Sequence, residues 1–210
     1  KNKLKDSRIY FHKSLEGDWA PKEIFLKKEV LLIAPGESII LHKKAIEKFI
    51  KKLKPIVIAL NILDNFENSL VNYRIACHPI RVFSDLEKYK HYHQPLIMPK
   101  KQLIGISNKY HELNILDFGL NVENNTFKFK EKSCTIPKPL VMAYALAMLN
   151  SGKTKKIYCA GFDGYTAGDP RQIEANEVWM SYFKYKNYVD LVSITNTLYD
   201  IPATSVHSYL

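Results

Sequence analysis

No run in this 210-residue chain approaches the 18 or so uninterrupted apolar residues that a membrane span requires. The opening KNKLKDSRIYFHK has no apolar core of the kind a signal peptide carries. A soluble, cytoplasmic protein is the expectation. Cysteine is scarce: Cys77, Cys134 and Cys159 are widely spaced, odd in number and without the paired spacings of a zinc site, which argues against a disulfide framework. Cys77 and Cys159 fall in apolar, strand-like runs and read as small buried hydrophobes. Acidic residues are outnumbered, 21 against 31 Lys and Arg, and the net charge of +10 favours an anionic partner. The lysines are scattered as Lys27-Lys28, Lys43-Lys44, Lys51-Lys52-Leu53-Lys54 and Lys155-Lys156, positions that read as helix ends and solvated faces. No base-stacking aromatics or named motif accompany them, so nucleic acid is not the expected partner.

Familiar motifs fail on inspection. Ser151-Gly152-Lys153-Thr154 has the ending of a phosphate loop, but Ala147 stands where that loop needs glycine, and the tetrapeptide follows a helical stretch. His91-x-His93 has no Cys or carboxylate at ligand spacing, so no metal is assigned. No Ser-His-Asp or Cys-His arrangement can be picked out, and there are neither internal repeats nor low-complexity tracts.

The 46% hydrophobic content suffices for one substantial core. The sequence begins with Lys, not Met, and stays polar to about residue 29, so residues 1–29 are expected to be a linker or N-terminal extension, with an edge strand between Arg8 and Trp19 as the other possibility. The main domain is placed at 30–210. It opens with VLLIA, a fully apolar run of the central parallel-strand type that ends at Pro35-Gly36. Ser38 is read as the cap of a helix carrying Ile39, Leu41, Ile46, Phe49, Ile50 and Leu53 on one side and lysines on the other. Pro55 stops that helix and PIVIALN reads as a second strand, completing a βαβ unit.

Further strands are predicted at Tyr73–Cys77 and Pro95–Met98, with a short helix from Arg81 to Tyr89 between them. Residues 100–135 are less regular: LIGIS and NILDFGL read as strands, and Val122–Lys130 as an edge strand. Pro137–Asn150 is apolar nearly all round, as in a helix buried on a sheet, with Gly152 as its C-terminal cap. A strand at Lys156–Ala160, an amphipathic helix from Asp169 to Lys186 and a last strand at Val189–Ile194 follow, with Tyr182, Tyr185 and Tyr188 read as aromatics packed by that helix. The fold expected is α/β: a single Rossmann-like, doubly wound, mostly parallel sheet with helices on both faces.

In such a sheet the loops leaving the carboxyl ends of strands line the ligand crevice. The first reads Ala34-Pro35-Gly36-Glu37-Ser38, where glycine permits close backbone approach and the next helix offers its first amides to a phosphate. It lacks the three-glycine dinucleotide fingerprint, and Glu37 would repel an anion unless turned away. Gly161-Phe162-Asp163-Gly164-Tyr165 reads either as an Asp-Gly turn or as a site in which Asp163 accepts from a hydroxyl while Tyr165 and Arg171 reach a sugar or phosphate. Asn61 and His78 close neighbouring strands.

Taken in order, these strand-end residues resemble the bacterial lipooligosaccharide sialyltransferases and the related domains of motility accessory factors that glycosylate flagellin. VLLIAPGESI occupies the place of that family's strand and Gly-x-Gly-Pro-Ser turn, with Gly36 and Ser38 matching and Pro35 and Glu37 departing. Asn61 matches the Asn ending its second strand, His78-Pro79 replaces an Asn-Pro, and Gly161, Asp163 and Tyr165 match its Gly-x-Asp-x-Tyr. The resemblance implies nucleotide contact at Pro35, Gly36, Glu37, Ser38 and Asn61, sugar or phosphate contact at Gly161, Gly164 and Arg171, and catalytic roles for His78, Asp163 and Tyr165. The family's general-base His has no counterpart, because residues 166–206 contain no histidine.

The chain also resembles the C-terminal domain appended to aldolase-like proteins of the hydroxy-oxovalerate aldolase type in surface-polysaccharide loci, which implies an upstream aldolase-like barrel as partner. Two expectations follow. One is a nucleotide-sugar-binding, glycosyltransferase-like domain of bacterial surface polysaccharide (lipopolysaccharide) synthesis, with the nucleotide sugar as substrate and no further cofactor. The other is a non-catalytic Rossmann-like accessory or ligand-binding module.

Overall fold

A computed structural model describes residues 16–102 and 109–210. Seven parallel strands form its main sheet: β1 (Glu29–Ile33), β2 (Ile56–Leu60), β3 (Tyr73–Ile75), β4 (Leu96–Met98), β5 (Ile115–Asp117), β9 (Lys156–Ala160) and β10 (Leu191–Ser193). Their order is β10-β9-β1-β2-β3-β4-β5. The chain winds outward from β1 on one side and returns to β1's other edge with β9. This is the α/β, Rossmann-like sheet expected, and the reversal of winding between β1 and β9 is its topological switch point.

Side chains of the central strands alternate between two apolar layers, as the twofold period of a strand demands. Val30, Leu32, Ile58, Leu60, Ile157 and Cys159 face one layer. Leu31, Ile33, Val57, Ala59, Tyr158 and Ala160 face the other. Over the first lie α1 (Lys22–Phe25), α6 (Val141–Ser151) and α7 (Pro170–Phe183); over the second lies α3 (Lys43–Leu53), with Ala45, Ile46, Phe49 and Ile50 turned inward. α6 is buried from Met142 through Asn150, which is why its sequence is apolar all round. Cys77, Cys134 and Cys159 are free and buried.

Residues 16–28, part of the stretch read as a linker or N-terminal extension, contribute side chains to the core. Trp19 and Phe25 enter the first layer, and the Gly17 amide donates to the Lys132 carbonyl at 3.0 Å. The LIGIS run and residues 8–15 of the suggested edge strand lie outside the described residues. A small second sheet, β6 (Gly119–Val122), β8 (Ser133–Ile136) and β7 (Lys128–Phe129), is inserted before α6; β6 pairs with β8 in parallel and β7 with β8 antiparallel.

Local expectations needed correction in three places. The helix after β1 is broken at His42 into α2 (Ser38–Leu41) and α3, and Ser38 does not cap it: its hydroxyl turns to Asp163 and Thr195. The helix between β3 and β4 is likewise two pieces, α4 (Pro79–Ser84) and α5 (Leu86–Lys90). Gly152 is the C-terminal cap of α6, as expected; it takes a right-handed conformation with little space against Phe25 and Pro21, and Lys153 takes the left-handed turn. Tyr185 and Tyr188 lie beyond the end of α7, where their rings meet Phe129 and Tyr182. Among the described residues no helix is long and apolar enough to cross a membrane.

Candidate functional site

A cleft of about 800 Å³ opens at the carboxyl ends of the strands. Its floor is Ala34, Pro35 and Gly36 after β1, Leu60 and Asn61 after β2, Cys77 and His78 after β3, and Gly161 to Tyr165 after β9. Arg81, Ser84 and Asp85 from α4 and its end, Pro139 to Met142 before and at the start of α6, and Arg171, Glu174 and Ala175 from α7 form the walls. Nine of the predicted site residues, Pro35, Gly36, Asn61, His78, Gly161, Asp163, Gly164, Tyr165 and Arg171, therefore meet in one cavity; Glu37 and Ser38 do not line it.

At the switch point β1 and β9 come very close. The Gly36 amide donates to the Gly161 carbonyl at 3.0 Å, and a Cβ at Gly36 would sit within 2.6 Å of the Asp163 carboxylate. Gly161 (φ +75) and Gly164 (φ +88) adopt left-handed conformations open to glycine. Between them Asp163 turns back onto α2. Its Oδ2 accepts from the Ser38 amide at 2.8 Å and its Oδ1 from the Ser38 hydroxyl. Ser38 Oγ also lies 3.0 Å from Thr195 Oγ1, which in turn accepts from the Gly161 amide at 3.0 Å. The internal carboxylate thus occupies the helix start that the sequence had suggested for a phosphate.

The rest of the loop is fastened by α7 and the segment after β10. Gln172 Oε1 accepts from the Tyr165 amide at 2.8 Å, its Nε2 donates to the Leu198 carbonyl at 3.1 Å, and the Leu198 amide donates to the Asp163 carbonyl at 2.8 Å. Arg171 is held locally: Nη2 donates to Asp169 Oδ2 at 2.6 Å, and the guanidinium carbon lies 4.2 Å from the centre of the Tyr165 ring. Tyr199 lines the cleft beside them. Burial, then the neighbouring Tyr165 and the Asp163 carboxylate, push its hydroxyl up to about 12, so it stays a donor at neutral pH.

On the opposite wall, His78 precedes α4 and its pKa lies below the ordinary histidine value, first because it is partly buried and then because Arg81 stands nearby. Neutral imidazole is favoured. Arg81 itself is exposed and makes no ion pair among the described residues.

Beneath Asn61 lies a fully buried arginine. Arg74 donates from Nη1 to the Asn61 carbonyl at 3.4 Å and from Nη2 to Asn68 Oδ1, with its guanidinium 3.5 Å from the Tyr92 ring centre. It fastens the loop that begins with Asn61, whose backbone is left-handed (φ +56). Thr195, Gln172, Tyr199, Arg81 and Arg74 escaped the sequence reading. Only Arg81 carried a signal, standing three residues after His78 in the segment that leaves β3.

A similar fold is found in a solved structure. The MAf glycosyltransferase from Magnetospirillum magneticum AMB-1 superposes with a TM-score of 0.61 over 96% of this chain at 10% identity. The fold is glycosyltransferase-like. The match spans 37% of that enzyme's length. No family model matches the chain, and no curated protein matches it by sequence. Among the described residues no group of three or more His, Cys, Asp or Glu side chains is placed to hold a metal ion.

Proposed function

We propose that this chain is a nucleotide-sugar-binding, glycosyltransferase-like domain, in which the cleft at the β1/β9 switch point holds the donor. The observation that carries the reading is the convergence of four strand-end loops, with Gly36, Asn61, His78, Asp163 and Tyr165 among them, into one cleft. A fold shared with a MAf glycosyltransferase supports it. The sequence resemblance to sialyltransferases and motility accessory factors points to bacterial surface glycans as the setting.

In this reading Gly36 lets the nucleotide approach the backbone and Asn61 contacts it, while Arg81 faces the donor phosphate. The acceptor oxygen attacks the anomeric carbon, the bond from that carbon to the phosphate oxygen breaks, and the nucleotide leaves with the electron pair. Neutral His78 takes the acceptor's proton; its lowered pKa keeps the imidazole unprotonated and so able to accept. Asp163, with both oxygens engaged by Ser38, holds the loop instead of exchanging protons, and Tyr165 and Tyr199 supply ring faces and hydroxyls to the sugar.

Thermal-shift titration of the chain against CMP, CDP, UDP, GDP, ADP and their sugar conjugates, with and without magnesium, tests this. A ligand at ~100 times its dissociation constant adds ~2.7 kcal/mol, seen as a raised Tm. The expected result is a selective shift that Arg81→Ala, at an exposed position of the cleft wall, diminishes without lowering the Tm of the free chain. No shift with any nucleotide refutes the reading.

One observation favours the accessory-module reading: the Ser38 amide and hydroxyl are already satisfied by Asp163 and so are not free for an external phosphate. That reading has no response to nucleotides but stabilisation when an aldolase-type barrel is added.

A further inference from the structure

We propose that the amino-terminal edge of the main sheet is a docking surface for anionic phospholipid membranes. Lysines that lie far apart in sequence converge there. The Lys27 amide donates to the Lys153 carbonyl at 3.0 Å, and the Lys155 amide to the Lys28 carbonyl at 2.8 Å. Glu29 is in register with Lys156, and Val30 with Ile56, which brings Lys54 to the same edge. Lys27, Lys28, Lys54, Lys153 and Lys155 are exposed. Two carboxylates share the edge: Glu29, which meets Lys155 at 2.8 Å and also acts on Lys156, and the exposed Asp190, whose carbonyl accepts from the Ile157 amide; the five exposed lysines outnumber them.

The backbone adds an independent observation. Among the described residues five non-glycine positions have positive φ: Asn61 and Asn125, the residue type that tolerates this region, and Lys27 (φ 56), Lys54 (φ 49) and Lys153 (φ 51), which does not. All three lysines sit on this one edge, at turns where Gly or Asn would be less strained. The chain keeps positive charge there against its conformational preference.

A membrane fits this surface better than a nucleic acid does. The lysines are long-stemmed point charges; Tyr158, whose ring Lys156 Nζ reaches at 5.2 Å, is 4% exposed and offers no face to a base, and Leu26, 41% exposed, stands beside Lys27 as an apolar contact for the lipid interface. The cleft lies at the other end of the sheet, about 16 Å away along a five-residue strand. A docked chain therefore turns the cleft away from the bilayer plane, open to the aqueous side.

Co-sedimentation with phosphatidylcholine vesicles, with and without phosphatidylglycerol, tests the proposal. Binding is expected only with phosphatidylglycerol and is lost at high salt. At about fivefold per lysine, the triple variant Lys27→Asn, Lys54→Asn and Lys153→Asn should bind ~100-fold more weakly. Asn suits the left-handed backbone, so its Tm should not fall. Lys43→Gln with Lys44→Gln, at the cleft end of α3, should leave binding within about twofold of the parent. Equal binding to both vesicle types, or an unchanged triple variant, overturns the proposal. So does a DNA duplex or single strand that displaces the vesicles at equal phosphate concentration with the same dependence on these three lysines, which would make the edge a nucleic-acid surface.

Discussion

Removing the Asp163 carboxylate should destabilise the fold before it says anything about chemistry. Ser38 is 4% exposed, so when Asp163→Ala deletes the acceptor at 2.8 Å, its amide gains little access to water. A buried donor left unsatisfied costs about 1–3 kcal/mol, and hydrogen bonds to a charged partner lie at about 1.5–3 kcal/mol each. The Ser38 hydroxyl keeps Thr195 at 3.0 Å, which moderates the second loss. Together these give a net cost of about 3 kcal/mol, or a Tm lowered by roughly 6–12 °C for a chain of this size. Asp163→Asn retains one carbonyl acceptor and should cost about half as much. Urea unfolding of parent, Asp163→Ala, Ser38→Ala and the double variant measures the coupling, expected at about 1–2 kcal/mol with an unchanged m-value. If Asp163→Ala unfolds within about 0.5 kcal/mol of the parent, the carboxylate does not hold α2 to the β9 loop and the structural role fails.

His78 should make stability fall with acid. Its folded pKa is depressed, so the unfolded chain binds the proton more readily, and the stabilisation present above the ordinary histidine pKa is lost as pH drops through the folded value. Chemical denaturation of parent and His78→Gln between pH 8 and pH 5, about the range in which histidine titrates, should show a steeper loss for the parent; parallel curves refute the assignment. Arg74→Ala should cost about 3 kcal/mol by releasing the Asn61–Asn68 loop, whereas Arg74→Met, which fills the volume without a buried charge, should cost roughly half; equal losses in urea unfolding contradict the fastening role.

What could be read from the sequence divides along physical lines. β1, β2, β9 and α6 announce themselves because strands or helices buried on both sides must be apolar throughout. The strand-end residues Gly36, Asn61, His78 and Asp163 follow once the parallel order is known, since such loops converge. What stayed hidden depends on partners remote in sequence. Ser38 looks like a helix cap locally, but its partner Asp163 is 125 residues away and Thr195 is 157 away. No local pattern marks Thr195 or Gln172, polar residues whose role comes entirely from the loop they meet. The packing of Trp19 and Phe25 likewise comes from tertiary contacts that no local pattern marks.

The placing of β1 between β2 and β9 also governs the order of assembly. While the chain is being synthesised, β1 can pair with β2 early, but its other edge must wait for β9. During that interval an apolar central strand offers an open row of amides and carbonyls to any passing chain. The two halves of the cleft floor, at Gly36 and at Gly161, belong to opposite sides of that delayed closure. The cleft should therefore be the last part of the domain to form, and premature release of the chain should leave an aggregation-prone half-sheet instead of a smaller working site.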